Sequence, residues 1–113
     1  MHEMSLAEGV MELIAEAARR EGFARVRTVW LEIGRLAAVE TEALRFCFDD
    51  AMTGTLAEGA RLEIIDLPGQ AWCRQCQAEV ALLDDDGICP QCGGFELRIT
   101  GGDQMRVKEL EVE

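Results

Sequence analysis

Four cysteines in two pairs, Cys73-Arg74-Gln75-Cys76 and Cys89-Pro90-Gln91-Cys92, restrict this 113-residue chain more than any other feature. The spacing is C-x2-C-x12-C-x2-C. Two residues between thiolates let a tight turn aim both sulfurs at one ion, and two such knuckles complete a tetrahedron. Gly93 and Gly94 follow the second pair and permit the positive φ that a knuckle often requires. Zinc is the first choice, because it takes four thiolates with no geometric preference of its own. Four protein ligands leave no open position for chemistry, so such a zinc is structural. The segment from 70 to 96 needs a metal: it holds a triple aspartate at 84–86, several glycines and few large apolar residues. It is expected to lack a hydrophobic core of its own and to draw its folding energy from the ion.

From the cysteines alone, two other readings stay open. Knuckles of the form C-P-x-C-G also hold iron in rubredoxin-like electron-transfer centres. Four Phe, two Trp and no Tyr, 5% aromatic in all, give such a redox site little shielding. Zinc ribbons also bind nucleic acid, which needs a cationic surface to displace counterions. Here ten arginines and one lysine face 22 acidic residues, a net charge of -11, and the basic residues form no stripe. Nucleic acid and anionic membrane surfaces are therefore not expected as partners.

The fifth cysteine, Cys47, makes the count odd. The opening MHEMSLAEGV lacks the basic and apolar regions of an export signal, and no run of about 18 apolar residues occurs anywhere. The cysteines thus read as metal ligands rather than disulfides, and the expected location is cytoplasmic.

The remainder has a conventional layout. Ser5 and Glu8 match a capping box ahead of Leu6, Val10, Leu13, Ile14, Ala17 and Ala18, and Gly22 is a stop, so a helix is predicted over 5–21. Arg25 to Ile33 reads as a strand, with Val29, Leu31 and Ile33 on one face and Arg27, Thr28 and Glu32 interleaved. Thr41 caps a second predicted helix with Leu44, Cys47, Phe48, Ala51 and Met52 as its apolar set, which makes Cys47 a small buried hydrophobe. A strand follows at about 61–67, and a last one within 103–112. The economical architecture is α/β (α+β): two helices on a three-stranded sheet, with the cysteine segment inserted before the third strand.

The sole histidine is residue 2. A histidine there is commonly just part of an unordered tail, but the position has its own chemistry. The α-amine of Met1, the backbone nitrogen of His2 and its imidazole can close adjoining chelate rings around one ion. A square array of nitrogens suits Ni(II) or Cu(II), not zinc. Glu3 can add a backbone nitrogen or a carboxylate. Because His2 is bulky, the initiator Met is expected to stay. No nucleophile, base and orienting group occur together and no phosphate-binding glycine loop is present, so no enzyme is expected.

An opening MHE-x-S-L, the strand W-L-E-I-G-R-L near residue 30, the paired knuckles at 73–92 and a late G-G-D-Q-M-R-V-K-E-L together resemble the HypA/HybF family. Its members are accessory proteins for nickel incorporation into [NiFe]-hydrogenase, and the resemblance spans essentially the whole chain. It implies a nickel metallochaperone that binds Ni(II) at its N-terminus and delivers it for insertion into the hydrogenase large subunit. The alternative is a structural zinc-ribbon adaptor with no second metal. The resemblance implies that His2 ligates nickel, assisted by the Met1 amine and by the backbone or side chain of Glu3. Glu40 falls where some members place an acidic residue near the nickel, and it is carried over as an auxiliary. Cys73, Cys76, Cys89 and Cys92 are the implied ligands of a structural zinc. The implied layout is a nickel-binding domain over 1–69, a zinc-binding domain over 70–97, and a strand over 98–113 returning to the first. Histidines that flank the knuckles in some members, and that are linked there to acid sensing, are missing here. The implied partners are the maturation GTPase HypB, the hydrogenase large-subunit precursor and a second copy of the chain.

Overall fold

The computed structural model describes residues 2–113. In chain order they form α1 (Glu3–Glu21), β1 (Val26–Gly34), a 3-10 turn (Arg35–Ala37), α2 (Thr41–Met52), β2 (Arg61–Leu67), β3 (Gly69–Cys73), β4 (Ala78–Leu82), β5 (Leu97–Gly101) and β6 (Met105–Val112). The strands make two three-stranded sheets, ordered β2-β1-β6 and β4-β3-β5. The two helices and the first sheet follow the expected layout, and the late strand β6 completes that sheet. By internal packing the chain divides into two compact units: Met1–Leu31 with Val39–Ile64 and Val107–Glu113, and Glu32–Ala38 with Ile65–Arg106.

In the first unit, α1 buries Ala7, Val10 and Ile14, and its last turn carries Arg19 and Arg20. Gly22 ends it with φ 82°, and the Gly22 N–H donates to the Ala18 carbonyl at 2.8 Å, the left-handed cap that the sequence predicts. The start differs from expectation. His2, not Ser5, is the N-cap, and the first turn closes when the Leu6 N–H donates to the His2 carbonyl at 3.0 Å. Ser5 therefore lies inside the first turn, where it caps nothing, and the acidic Glu3 sits at the positive end of the helix dipole.

The second helix also shifts its cap by one residue. Glu40, not Thr41, takes the N-cap, with its carboxylate accepting from the Glu42 N–H at 3.1 Å. Leu44, Phe48 and Met52 are buried along α2, while Cys47 is only half-buried. The expectation of a buried Cys47 is corrected: spaced three residues from Leu44 and one from Phe48, it falls on the rim of the apolar stripe rather than at its centre.

As the central strand of its sheet, β1 is covered more completely than a simple alternation predicts. Thr28 is buried along with Val26, Val29 and Leu31. Its hydroxyl donates to a Glu111 carboxylate oxygen at 2.7 Å, so the buried polar group is satisfied.

The second sheet is the feature that sequence reasoning missed. Strand β3 pairs antiparallel with β4 (Gly69 opposite Leu82, Ala71 opposite Val80, Cys73 opposite Ala78) and with β5 (Ala71 opposite Ile99, Trp72 opposite Arg98, Cys73 opposite Leu97). The expectation that this segment has no core is also corrected. Ala71, Cys73, Val80, Leu82 and Cys89 form a small buried cluster, with Leu36, Cys76 and Leu97 packed against it. The strands are five residues each and point alanines and cysteines inward, so their alternation gives little hydrophobic signal.

Two turns of this second unit cross at van der Waals distance. A Cβ placed on Gly102 would lie 2.2 Å from the Pro68 carbonyl oxygen and 2.5 Å from Gly69 Cα, both rigid backbone. Gly102 also has φ 74°, so a side chain is opposed twice. Gly54 has φ 80° but open space around it. Gly54→Ala should cost about 1 kcal/mol, the left-handed strain alone. Gly102→Ala should cost a further ~1–3 kcal/mol for overpacking. Urea denaturation of both variants checks the difference, and equal losses would show that the crossing is not tight.

Candidate metal centre

The four knuckle cysteines meet in the second unit. Cys73 ends β3, Cys76 lies in the β3–β4 turn, and Cys89 and Cys92 lie between β4 and β5. The β3–β4 turn is tight enough to drive Gln77 to φ 54°, and Gly93 supplies φ 75° after the second pair, the role expected for a glycine there. Sulfurs accept from backbone amides within each knuckle: the Cys76 N–H points to Cys73 Sγ and the Gly94 N–H to Cys92 Sγ, both at 3.4 Å. The second knuckle is closed by Gly93 N–H to the Cys89 carbonyl at 2.9 Å and Cys89 N–H to the Gly94 carbonyl at 2.8 Å.

All four Sγ atoms lie within 4.8 Å of one another, with Cys73–Cys92 at 3.7 Å and Cys76–Cys89 at 3.9 Å. A tetrahedron of sulfurs, each about 2.3 Å from zinc, has edges of about 3.8 Å. The Cys73–Cys92 and Cys76–Cys89 separations thus match the edge of a tetrathiolate zinc site, and the other sulfurs lie close enough to complete it. Cys73 and Cys89 are buried, Cys76 is half-buried and Cys92 is exposed, so the site is closed on the core side and open to solvent on one edge. Sequence spacing did not single out Gln75, whose side-chain oxygen lies 3.8 Å from Cys92 Sγ.

Their proximity divides the thiols electrostatically. The backbone N–H of Cys92, and then that of Gln91, stabilises the Cys89 thiolate and brings its pKa down to about 6 despite burial. Cys76 moves the other way, up to about 12, because its proton is held in hydrogen bonds with Cys92 and then Cys73. Four adjacent thiolates repel one another, and a divalent cation is what allows all of them to ionise.

The residues named for nickel lie in the first unit. His2 is exposed at the start of α1, Glu3 is half-buried in its first turn, and Glu40 is exposed at the start of α2. Two of them are brought together: the Glu40 N–H donates to Glu3 Oε2 at 3.2 Å. Met1 lies outside the described residues. Among the described residues, the four cysteines are the one group of three or more His, Cys, Asp or Glu side chains whose ligand atoms converge. Glu3 and Glu40 are thus neighbours, and with His2 they form no converging side-chain cage.

Residues 1–112 match the family model described as hydrogenase/urease nickel incorporation, metallochaperone, HypA. The chain is 61% identical to hydrogenase maturation factor HypA of Albidiferax ferrireducens and 59% identical to that of Azotobacter vinelandii, in each case over the full length of both chains. Its fold is similar to the solution structure of the Ni metallochaperone HypA from Helicobacter pylori, with a TM-score of 0.74, 26% identity, and coverage of 99% of this chain and 97% of that one. A second solution structure, of a HypA protein, gives a TM-score of 0.72 at 25% identity. The chain belongs to the HypA family of nickel-incorporation metallochaperones.

Proposed function

We propose that the chain carries one Ni(II) at the start of α1 and delivers it for insertion into the large-subunit precursor of [NiFe]-hydrogenase. Its nickel end is the first unit and its zinc end the second. His2 supplies the imidazole and a backbone nitrogen, Met1 the terminal amine, and Glu3 a further nitrogen or its carboxylate, with Glu40 as an auxiliary. Cys73, Cys76, Cys89 and Cys92 hold a structural zinc. The docking partners are HypB and the precursor, self-association as a dimer accompanies them, and delivery takes place in the cytoplasm. The role is carriage, not catalysis.

The observation that carries this reading is family membership across residues 1–112, which selects nickel as the cargo. The geometry at the helix starts supports the choice of residues. A helix leaves its first amide N–H groups without intrahelical acceptors, and here the first such bond is made by Leu6. The nitrogens of His2 and Glu3 can therefore turn to a metal without breaking α1. A cation at this end is opposed by the helix dipole. The Glu3 carboxylate and its neighbour Glu40 offset that opposition. Such a site holds by several modest contributions that can be released one after another, which suits an ion that must be handed on. Protons compete for the amine and the imidazole, so nickel binding weakens in acid.

His2→Ala should abolish specific nickel uptake and leave zinc content and fold unchanged. Calorimetric nickel titration with metal analysis checks it, and wild-type affinity in the variant would sink the assignment. A chain that carries zinc and takes up no specific nickel even as wild type would instead be a zinc-ribbon adaptor. Residues added ahead of Met1 should also impair uptake, and full affinity in the extended protein removes the amine from the ligand set. At the zinc end, the titrations of the thiols predict a pH-dependent proton count. Above a pKa of about 6, Cys89 is already largely ionised, so zinc binding at neutral pH releases fewer than four protons. Below it Cys89 is protonated, and the count should rise by about one. Calorimetry in buffers of different ionisation enthalpy reads this count, and a constant value across that range contradicts the assignment.

A further inference from the structure

In the first unit, the outward face of α2 carries a group of side chains that the packing of the fold does not explain. Phe46 is 77% exposed on a helix whose apolar stripe, Leu44, Phe48 and Met52, is buried. Its helical neighbours at i−4, i+3 and i+4 are Glu42, Asp49 and Asp50. All three are exposed, and none makes an ion pair among the described residues. The cations close in sequence are engaged elsewhere. Arg45 precedes Phe46, but successive helix residues point about 100° apart, and its Nη1 donates to the Leu62 carbonyl at 2.8 Å. Leu62 is buried, so strand alternation sends Arg61 and Glu63 to the other face of β2, where they pair at 3.7 Å. Asp49 and Asp50 also stand against the dipole of their own helix. They occupy the last turn of α2, which holds no basic residue, and the carbonyl end of a helix is negative. The first helix shows the ordinary arrangement, with Arg19 and Arg20 in its last turn. One face of α2 thus breaks two local rules, an exposed aromatic ring and uncompensated acids, with no return inside the chain; such departures mark functional surface.

We propose that this face of α2 docks a basic segment of a partner protein, with an arginine stacked on Phe46 and neighbouring cations on Glu42, Asp49 and Asp50. Charge complementarity selects the occupant. A cation placed here meets the three carboxylates and the negative end of the helix together. A guanidinium over the ring is attracted by its face as well, which a surface ion pair alone does not supply. A second copy of the chain, itself at -11, is repelled. Leu83 and Ile88 of the second unit also stand exposed beside Asp84, Asp85 and Asp86. They offer no aromatic ring and lie in irregular chain, where Asp86 is already turned back to the Ile88 N–H at 3.1 Å. By contrast, α2 holds its ring and carboxylates on a regular helix, so little ordering is needed on binding. The inference does not depend on the nickel assignment, and its test uses no nickel.

The full-length, zinc-loaded chain is titrated into a short dye-labelled peptide of Arg and Lys with Gly spacers, and anisotropy is read. Saturable binding is expected, weakening as salt rises. Phe46→Ala should weaken it roughly tenfold, and Asp49→Asn and Asp50→Asn roughly threefold each. The two Asp variants should at the same time raise the urea midpoint, because each removes a charge that the helix dipole opposes. Leu83→Ser, beside the acids of the second unit, should leave binding unchanged. The proposal is overturned by no saturable binding, by equal binding of the peptide with Glu in place of its cations, or by insensitivity to the Phe46 and Asp variants. It is overturned too if Leu83→Ser weakens binding as much as Phe46→Ala, which would mean diffuse attraction, or if the urea midpoint falls in the Asp variants, which would make those carboxylates structural. Sedimentation of the free chain completes the test: a dimer lost in Phe46→Ala would make a second copy the occupant and overturn the proposal as well.

Discussion

Mutual repulsion among four thiolates governs how the second unit is built. With pairs of sulfurs 3.7 and 3.9 Å apart, only part of the set ionises readily without a cation: backbone amides favour the Cys89 thiolate, while hydrogen bonds to Cys92 and Cys73 keep Cys76 protonated. The backbone amides of Cys92 and Gln91 pre-stabilise the Cys89 thiolate, and the remaining protons are shared between sulfurs until an ion replaces them. The hydrophobic cluster around Ala71, Val80 and Leu82 is small, and two of its five buried members, Cys73 and Cys89, are themselves thiols. Apolar burial on that scale leaves the unit dependent on metal binding for much of its stability. The tight turns follow from the same demand, since Gln77 and Gly93 adopt positive φ beside the two knuckles.

The helix starts obey the opposite logic. Where the cysteine cluster presents four converging side chains, the described residues at the start of α1 present one histidine, two nearby carboxylates and unsatisfied backbone amides. The dipole of α1 opposes a cation, and the acidic side chains oppose the dipole. The nickel site proposed there, balanced in this way, would exchange its ion more readily than a closed tetrathiolate. That contrast in ligand design fits one metal to be kept and another to be passed on.

How much of this was legible in the sequence depended on which signal each element carried. The cysteine spacing is a covalent statement about sulfur positions, and the four sulfurs converge as it predicts. The strand at 61–67 and the Gly22 cap were readable because β-branched runs and a glycine stop are local signals. The caps of α1 and α2 were misplaced because α1 starts after His2 with no side-chain cap at all, and α2 takes its cap from the Glu40 carboxylate rather than from a hydroxyl. Ser5 lost to His2 and Thr41 to Glu40, and tertiary contacts such as Glu3 with the Glu40 amide favour the observed ends. The β4-β3-β5 sheet was missed for a different reason: its inward residues are Ala, Cys and single valines and leucines, whose burial is set by partners distant in sequence. Cys47 was placed one position too deep, since a wide apolar stripe does not distinguish its centre from its rim.

The charge of the chain acquires its meaning only when it is distributed over these sites. A uniform -11 repels polyanions and attracts metal cations without choosing among them. Selection comes from the donor sets: thiolates in a tetrahedron for zinc and, in the site proposed for nickel, nitrogens at a helix start. The same acidity makes the few exposed cations informative, because each stands out against its surroundings. Arg27 is engaged by Glu113 at 2.8 Å and Arg19 by Glu16 at 2.6 Å. Arg25, Arg35, Arg45, Arg98 and Lys108 make no such pair among the described residues, and Arg98 stands across β3–β5 from Trp72. Even there the charge is balanced rather than reversed, since Glu79 opposite Trp72 and Glu96 beside Arg74 match the two guanidiniums of Arg74 and Arg98.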